Sequence, residues 1–185
     1  MRIIAGKHKS RILYSLEGKE TRPMMDRMKE SVFNTIGPYF EGDVVLDLFG
    51  GSGALCLEAI SRGASKGLIV EKSKDAIRVI RENIKLLKEE DSINLFNSSY
   101  EMVLNRLAKD KTTFDIIFLD PPYKLNIINY LITYILDNNL LNEGGVIVCH
   151  YVKGNFKSSD VDRLVLIKNY NYGKSEVSIF KKDNN

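Results

Sequence analysis

Two short stretches of this 185-residue chain carry residue types whose spacing suits chemistry. The first is Asp47-Leu48-Phe49-Gly50-Gly51-Ser52-Gly53-Ala54. Glycines let a backbone approach a ligand closely, and a helix that starts there offers free N–H groups. Such a turn serves a dinucleotide or another nucleoside. A dinucleotide fingerprint needs G-x-G-x-x-G/A. Counted from Gly51 its last position is Cys56, so that pattern fails. What remains is an acid four residues before Gly51, followed by G-x-G. At a strand end, Asp47 suits a ligand that carries an ammonium group. Glu71, twenty residues after Gly51, can accept from both hydroxyls of a ribose. The second stretch is Asp120-Pro121-Pro122-Tyr123. Two prolines directly after a buried strand end its ladder and stiffen the turn. The Asp120 carboxylate and nearby carbonyls are thereby fixed as acceptors for the two hydrogens of a planar exocyclic amine. Tyr123 can stack on the ring that bears this amine.

Both stretches fall where strands end, within alternating strand and helix patterns. Residues 2–5 and 11–14 are β-prone runs joined by a Gly/Lys/Ser turn and predict a small hairpin. Apolar residues recur at helical spacing from Asp26 to Tyr39, and Gly37-Pro38 closes that segment. Strand patterns follow at 44–49, 67–71, 92–96, 114–120, 145–151, 163–169 and 175–181. Helical patterns separate the first five, and Asn171-Tyr172-Gly173 is the predicted turn between the last two. The expectation is an α/β fold with a seven-stranded, mostly parallel sheet, helices on both faces, and an antiparallel last strand. A basic hairpin (1–22) precedes the main domain (23–185).

The rest of the composition narrows the class. Cys56 and Cys149 are far apart and in no CxxC pattern, which reads as buried thiols in a reducing compartment. Two cysteines and two histidines argue against a metal site. No signal peptide or bilayer-spanning run is present, so a cytoplasmic protein is expected. Net charge is +3, and it is unevenly placed. Residues 1–42 carry 8 Lys/Arg and 5 Asp/Glu, whereas residues 43–149 carry 12 and 15. An acidic body with basic ends suits a partner that is a polyanion.

Asp47–Gly53 with Glu71 resembles the cofactor site of Rossmann-like class I S-adenosylmethionine-dependent methyltransferases. Asp120-Pro-Pro-Tyr123 resembles the signature of their amino-methylating branch. Arg2-Ile-Ile-Ala-Gly-Lys7 and Arg22-Pro23-Met-Met-Asp26-Arg27-Met-Lys-Glu30-Ser-Val-Phe33-Asn34 are similar to the bacterial small-subunit (16S) ribosomal RNA guanine-N2 methyltransferase family. The resemblance spans nearly the whole chain. It departs at Met24-Met25, where the family often has two threonines.

The resemblance implies that Asp47, Phe49, Gly51, Gly53, Glu71 and Asp120 hold S-adenosylmethionine. Ser98, Ser99 or a backbone group would serve the adenine amine, where many methyltransferases place an acid. Asp120, Pro121 and Tyr123 would carry catalysis on a guanine N2. Arg2, Lys7, Lys9, Arg11, Arg22 and Arg27 would grip RNA phosphates. The implied substrate is 16S ribosomal RNA within an assembled small subunit, acted on by a monomer without metal or membrane. Two other readings share these residues. One is an adenine-N6 or related amino-methyltransferase on DNA or RNA; the other is a catalytically idle ribosome-assembly or RNA-binding factor. His150, at the end of the fifth strand, reads as structural.

Overall fold

Alternation along the strands builds two cores on one sheet. Successive side chains of a strand point to opposite faces. Val45, Ile69, Ile116, Phe118 and Val148 therefore join one buried cluster, and Leu46, Leu68, Val70, Ile117, Leu119 and Ile147 join another. A computed structural model describes residues 1–16, 26–157 and 161–182. Its strands are β1 (Val44–Asp47), β2 (Lys66–Glu71), β3 (Ile93–Asn97), β4 (Phe114–Leu119), β5 (Leu141–Val152), β6 (Leu164–Tyr172) and β7 (Ser175–Lys182). They form one sheet in the order β3-β2-β1-β4-β5-β7-β6. The four pairs along β3-β2-β1-β4-β5 are parallel, and β7 runs antiparallel to both β5 and β6.

Helices α1 (Asp26–Ile36), α2 (Ala54–Ser61) and α3 (Lys74–Leu87) cover the first cluster through Met28, Val32, Phe33, Leu57, Ile60, Ile80 and Ile84. Helices α4 (Tyr100–Lys109) and α5 (Ile128–Asp137) cover the second through Val103, Leu104, Leu107, Leu131 and Ile135. The seven strands and the two helical layers follow the sequence pattern. Cys56 and Cys149 are buried free thiols. No described helix is long and apolar enough to cross a membrane.

Three local differences have physical causes. The expected N-terminal hairpin is reduced to a single antiparallel bridge, Arg2 to Ile12. Its next backbone donors turn inward: the Ile4 and Ala5 N–H groups donate to the Glu58 carboxylate. Helix α1 stops at Ile36 because Gly37 takes φ 134° and Pro38 follows. The turn between β6 and β7 is Gly173-Lys174, one residue later than the expected one, where Gly173 supplies φ 68°. The N-terminal arm also joins the main core, with Ile3 and Leu13 buried among the residues under α1 and α2.

Candidate active site

Strand order places the two sequence motifs side by side. β1 lies between β2 and β4; the chain leaves β1 towards β2 and leaves β4 towards β5, in opposite directions, so the crevice beyond the C-terminal ends of β1 and β4 is the switch point of the sheet. Asp47 ends β1, Glu71 ends β2, and Asp120 follows β4 directly. Strand alternation puts Asp47 in line with Val45, Glu71 with Ile69, and Asp120 with Phe118. All three acids thus belong to the face covered by α1, α2 and α3.

Asp47 is buried, with 1% of its surface exposed. Burial and the nearby Asp120 and Glu71 carboxylates push its carboxyl up to about 7. Backbone hydrogen bonds from Phe49 and Cys56 oppose that rise. Even so, Asp47 Oδ1 has no hydrogen-bond partner among the described residues. A buried, unpaired carboxylate oxygen is costly unless a donor or cation joins it. The adjoining loop is open on the same side. Gly51 and Gly53 take φ 57° and 77°, which favour glycine, and a Cβ built on Gly51 would meet nothing within 4 Å.

Glu71 is oriented by the backbone. Its Oε2 accepts the Gly51 N–H at 3.0 Å, and its Oε1 accepts the Lys72 and Ser73 N–H groups at 2.8 Å. Both lone-pair sites of Oε1 are thereby filled, and Oε2 keeps one for a ligand hydroxyl. Ser98 donates its N–H to the Glu71 carbonyl, which sets the end of β3 beside that of β2. Ser99 caps α4, its hydroxyl accepting the Met102 N–H. Phe49 is half-buried and packs at 5.3 Å between ring centroids against Tyr100, the first residue of α4.

The Asp-Pro-Pro-Tyr turn packs against His150 of β5, a residue to which the sequence assigns no chemistry. Leu119 pairs with Cys149 across β4 and β5, so Asp120 and His150 are the next pair along. His150 Nδ1 lies 2.8 Å from Asp120 Oδ1, and its Nε2 lies 3.3 Å from the Tyr123 hydroxyl. The Tyr123 and His150 rings meet edge to face at 5.6 Å. Pro121 is buried and Pro122 exposed, and Tyr123 begins a short 3₁₀ turn ending at Leu125. The signal for His150 was its place at the end of a strand that must neighbour β4.

The basic residues divide. Arg2, Lys7, Lys9, Arg11 and Arg27 are exposed. Arg2 stands 3.7 Å from Asp26, and Lys7 binds the buried carboxylate of Glu89 at 2.7 Å. Lys7 is therefore partly committed to anchoring the arm. Arg22 lies outside the described residues. Among the described residues, no group of three or more His, Cys, Asp or Glu could hold a metal ion.

Comparison with known proteins agrees with this arrangement. The family model described as "Conserved hypothetical protein 95" matches residues 1–181. A Bacillus subtilis protein named "Putative rRNA methyltransferase YlbH" is 40% identical over 182 residues, covering 98% of this chain and 99% of the relative. The Haemophilus influenzae protein named "Ribosomal RNA small subunit methyltransferase D" is 35% identical over 148 residues, covering 80% of this chain and 76% of the relative. Among solved structures, the Escherichia coli protein described as "Putative methyltransferase yhhF" superposes with a TM-score of 0.87 at 26% identity. That match covers 100% of this chain and 99% of the other. The fold is the Rossmann-like fold of class I methyltransferases, and the chain belongs to the Conserved hypothetical protein 95 family, the family of the small subunit ribosomal RNA methyltransferases D.

Proposed function

We propose that the protein transfers a methyl group from S-adenosylmethionine to the exocyclic N2 of a guanine in small-subunit (16S) ribosomal RNA. The observation that carries this reading is the pairing of two features at one strand edge. One is a buried carboxylate oxygen without a partner at Asp47. The other is the Asp120 acceptor held at a rigid Pro-Pro turn on the neighbouring strand. The relatives' names supply the nucleic acid: both describe ribosomal RNA methyltransferases.

The residues present fit the cofactor. Its ammonium group matches the orphaned Asp47 Oδ1, and a cation there offsets the repulsion among Asp47, Glu71 and Asp120. Glu71, already oriented by three backbone N–H groups, is the acceptor for a ribose hydroxyl. An added Cβ on Gly53 would meet Ile69, Ile80 and Leu57, whereas one on Gly51 would meet nothing within 4 Å, so Gly51 leaves room for the ligand to approach the loop. Phe49 follows β1 beside that loop, and Ser98 and Ser99 follow the end of β3, where the adenine amine would need a partner. When bound, S-adenosylmethionine supplies an electrophilic methyl on a sulfonium and needs no metal.

The chain's own task is positioning. A guanine N2 lone pair is delocalised into its ring, so the amine is a poor nucleophile. Asp120 and a carbonyl at Pro121 accept the two amine hydrogens, favour a pyramidal nitrogen, and stabilise the positive charge that develops there. Asp120 then holds the proton released from that nitrogen. Tyr123 stacks on the base, which must leave its own stack to arrive. Alignment of this kind supplies up to about 7–11 kcal/mol of the barrier. Exposed Arg2, Lys9, Arg11 and Arg27 meet RNA phosphates, with Lys7 in a secondary role because Glu89 holds it. On this reading the protein is a monomer that acts where ribosomal RNA resides, in the cytoplasm.

The deciding experiment is transfer from labelled S-adenosylmethionine to assembled small subunits, naked 16S ribosomal RNA and duplex DNA. We expect label in the assembled subunit, recovered as N2-methylguanine and lost in Asp120→Ala. Label in DNA as N6-methyladenine would replace the substrate. Absence of cofactor binding would leave an idle assembly factor.

A further inference from the structure

The turn that holds Asp120 is braced by an imidazole for which the mechanism above has no task. His150 is buried, with 4% of its side chain exposed, yet it sits at a strand end in the site instead of in either apolar core. Both ring nitrogens meet residues of the Asp-Pro-Pro-Tyr turn. Nδ1 faces Asp120 Oδ1 at 2.8 Å, and Nε2 faces the Tyr123 hydroxyl at 3.3 Å. On its other flank, β7 presents Val177, which is apolar and buried. The geometry selects a tautomer. A carboxylate accepts, so Nδ1 carries the hydrogen and donates it to Asp120. The lone pair of the neutral ring is then at Nε2, where it accepts from the Tyr123 hydroxyl. One ring thus sets both the acceptor for the amine and the aromatic face for the base.

We propose that His150 is a positioning residue for methyl transfer, holding Asp120 through Nδ1–H and Tyr123 through Nε2. With Oδ1 engaged by His150, Asp120 keeps Oδ2 for the amine hydrogen. With its hydroxyl fixed, Tyr123 keeps its ring at one angle to the incoming base. This inference rests on the proposed amino-methyl transfer and adds a residue to it.

Three substitutions separate the two contacts, because an Asn amide takes the place of Nδ1 and a Gln amide that of Nε2. His150→Ala should lower kcat by about a hundredfold, the scale of a 1 Å misplacement at a reacting centre. Its affinity for S-adenosylmethionine should be unchanged, because Asp47 and Glu71 are untouched. His150→Asn, which restores the donor to Asp120, should recover most of kcat while the KM for RNA stays raised. His150→Gln, which restores the contact to Tyr123, should show the reverse split. A His150→Ala enzyme with normal kcat overturns the proposal. So does an Ala variant that loses cofactor binding in proportion to activity, which marks a merely structural histidine.

A second measurement needs no turnover. Long-range proton–nitrogen NMR correlation on the wild-type protein should show a neutral His150 with its hydrogen on Nδ1, shifting to Nε2 in Asp120→Ala. A wild-type ring protonated on Nε2 alone overturns the proposal whatever the substrate proves to be. Absence of methylguanine in the wild-type assay, with the Nδ1–H tautomer present, rejects the substrate and leaves the His150 arrangement standing.

Discussion

The molecule buries two acids under the same helical layer and treats them in opposite ways. Glu58, in α2, is 0% exposed and every face of its carboxylate is used. It binds Lys29 at 3.0 Å and Arg62 at 2.7 Å, and accepts the N–H groups of Ile4 and Ala5 at 2.9 and 3.0 Å. Arg62 in turn reaches the Pro38 carbonyl and lies over the Phe33 ring. Asp47 is 1% exposed, has two acids for neighbours, and keeps one oxygen unpaired. The contrast separates a structural charge from a binding one. A buried carboxylate that the chain has fully paired holds the fold together. One that the chain leaves short of a cation is held ready for a ligand that brings it.

The largest expected effect comes from breaking the paired site. Glu58→Ala leaves Lys29 buried without its counter-charge, and orphans two backbone donors of the N-terminal arm. Removing one partner of a buried ion pair costs about 3–5 kcal/mol. Urea denaturation at neutral pH should show a loss of that size. Faster proteolysis should begin in the arm that carries Arg2, Lys7, Lys9 and Arg11. A loss below about 1 kcal/mol would put the arm's anchorage elsewhere, in the Lys7–Glu89 pair for example.

The unpaired site should answer in the opposite direction. Its carboxyl is raised from 3.8 to about 7 in the folded chain, so ionised Asp47 costs stability. That cost is absent below about pH 4, grows as pH rises towards 7, and is then constant. Asp47→Asn removes it. The ligand-free variant should therefore be more stable than wild type by about 2–4 kcal/mol at pH 8, with the gain vanishing near pH 4. The same variant should bind S-adenosylmethionine at least about tenfold more weakly, because the ammonium loses its counter-charge. A variant that is both less stable and weaker in binding would make Asp47 a structural acid like Glu58.

How legible each site was follows from the range of its contacts. Asp47, Glu71 and Asp120 stand at the ends of strands whose alternation and β-α-β order can be read locally. Their common face and shared crevice follow from residue parity and from the rule for switch points. The turn at Gly173-Lys174 falls one residue later than the sequence suggests, because two β-prone tyrosines, Tyr170 and Tyr172, carry β6 right up to the glycine. His150 was harder. Its role appears only when Leu119 is set against Cys149, a register that no periodicity within either strand reveals. Glu58 was invisible. It sits in Ala54-Leu-Cys-Leu-Glu58-Ala-Ile-Ser61, where the i,i+4 spacing to Arg62 is a common surface pattern. Lys29, Ile4 and Ala5 reach it from elements that only the folded chain brings near. Lys7 looked like an RNA contact for the same reason, because its partner Glu89 lies far along the chain.

The finest test of the contrast uses pH in place of mutation. An ammonium pairs with the ionised form of Asp47, and that carboxyl sits at about 7 in the ligand-free protein. Protonation as pH falls must therefore weaken cofactor binding, and binding near neutrality must release a proton. For a single group at about 7, affinity should drop about twenty- to thirtyfold between pH 7.5 and 5.5, or about 2 kcal/mol. Calorimetry in buffers of different ionisation enthalpy would read both the affinity and the proton released. In Asp47→Asn the same pH range should leave affinity flat, with no proton released by this group. Glu58 provides the internal control, because its charges are already neutralised by Lys29 and Arg62 and it lies outside the cofactor crevice. A wild-type affinity that stays level across this range would mean that the ammonium is received by another acid. Glu71 would then be the first to test, because its carboxylate stands closest to the glycine loop through the Gly51 N–H.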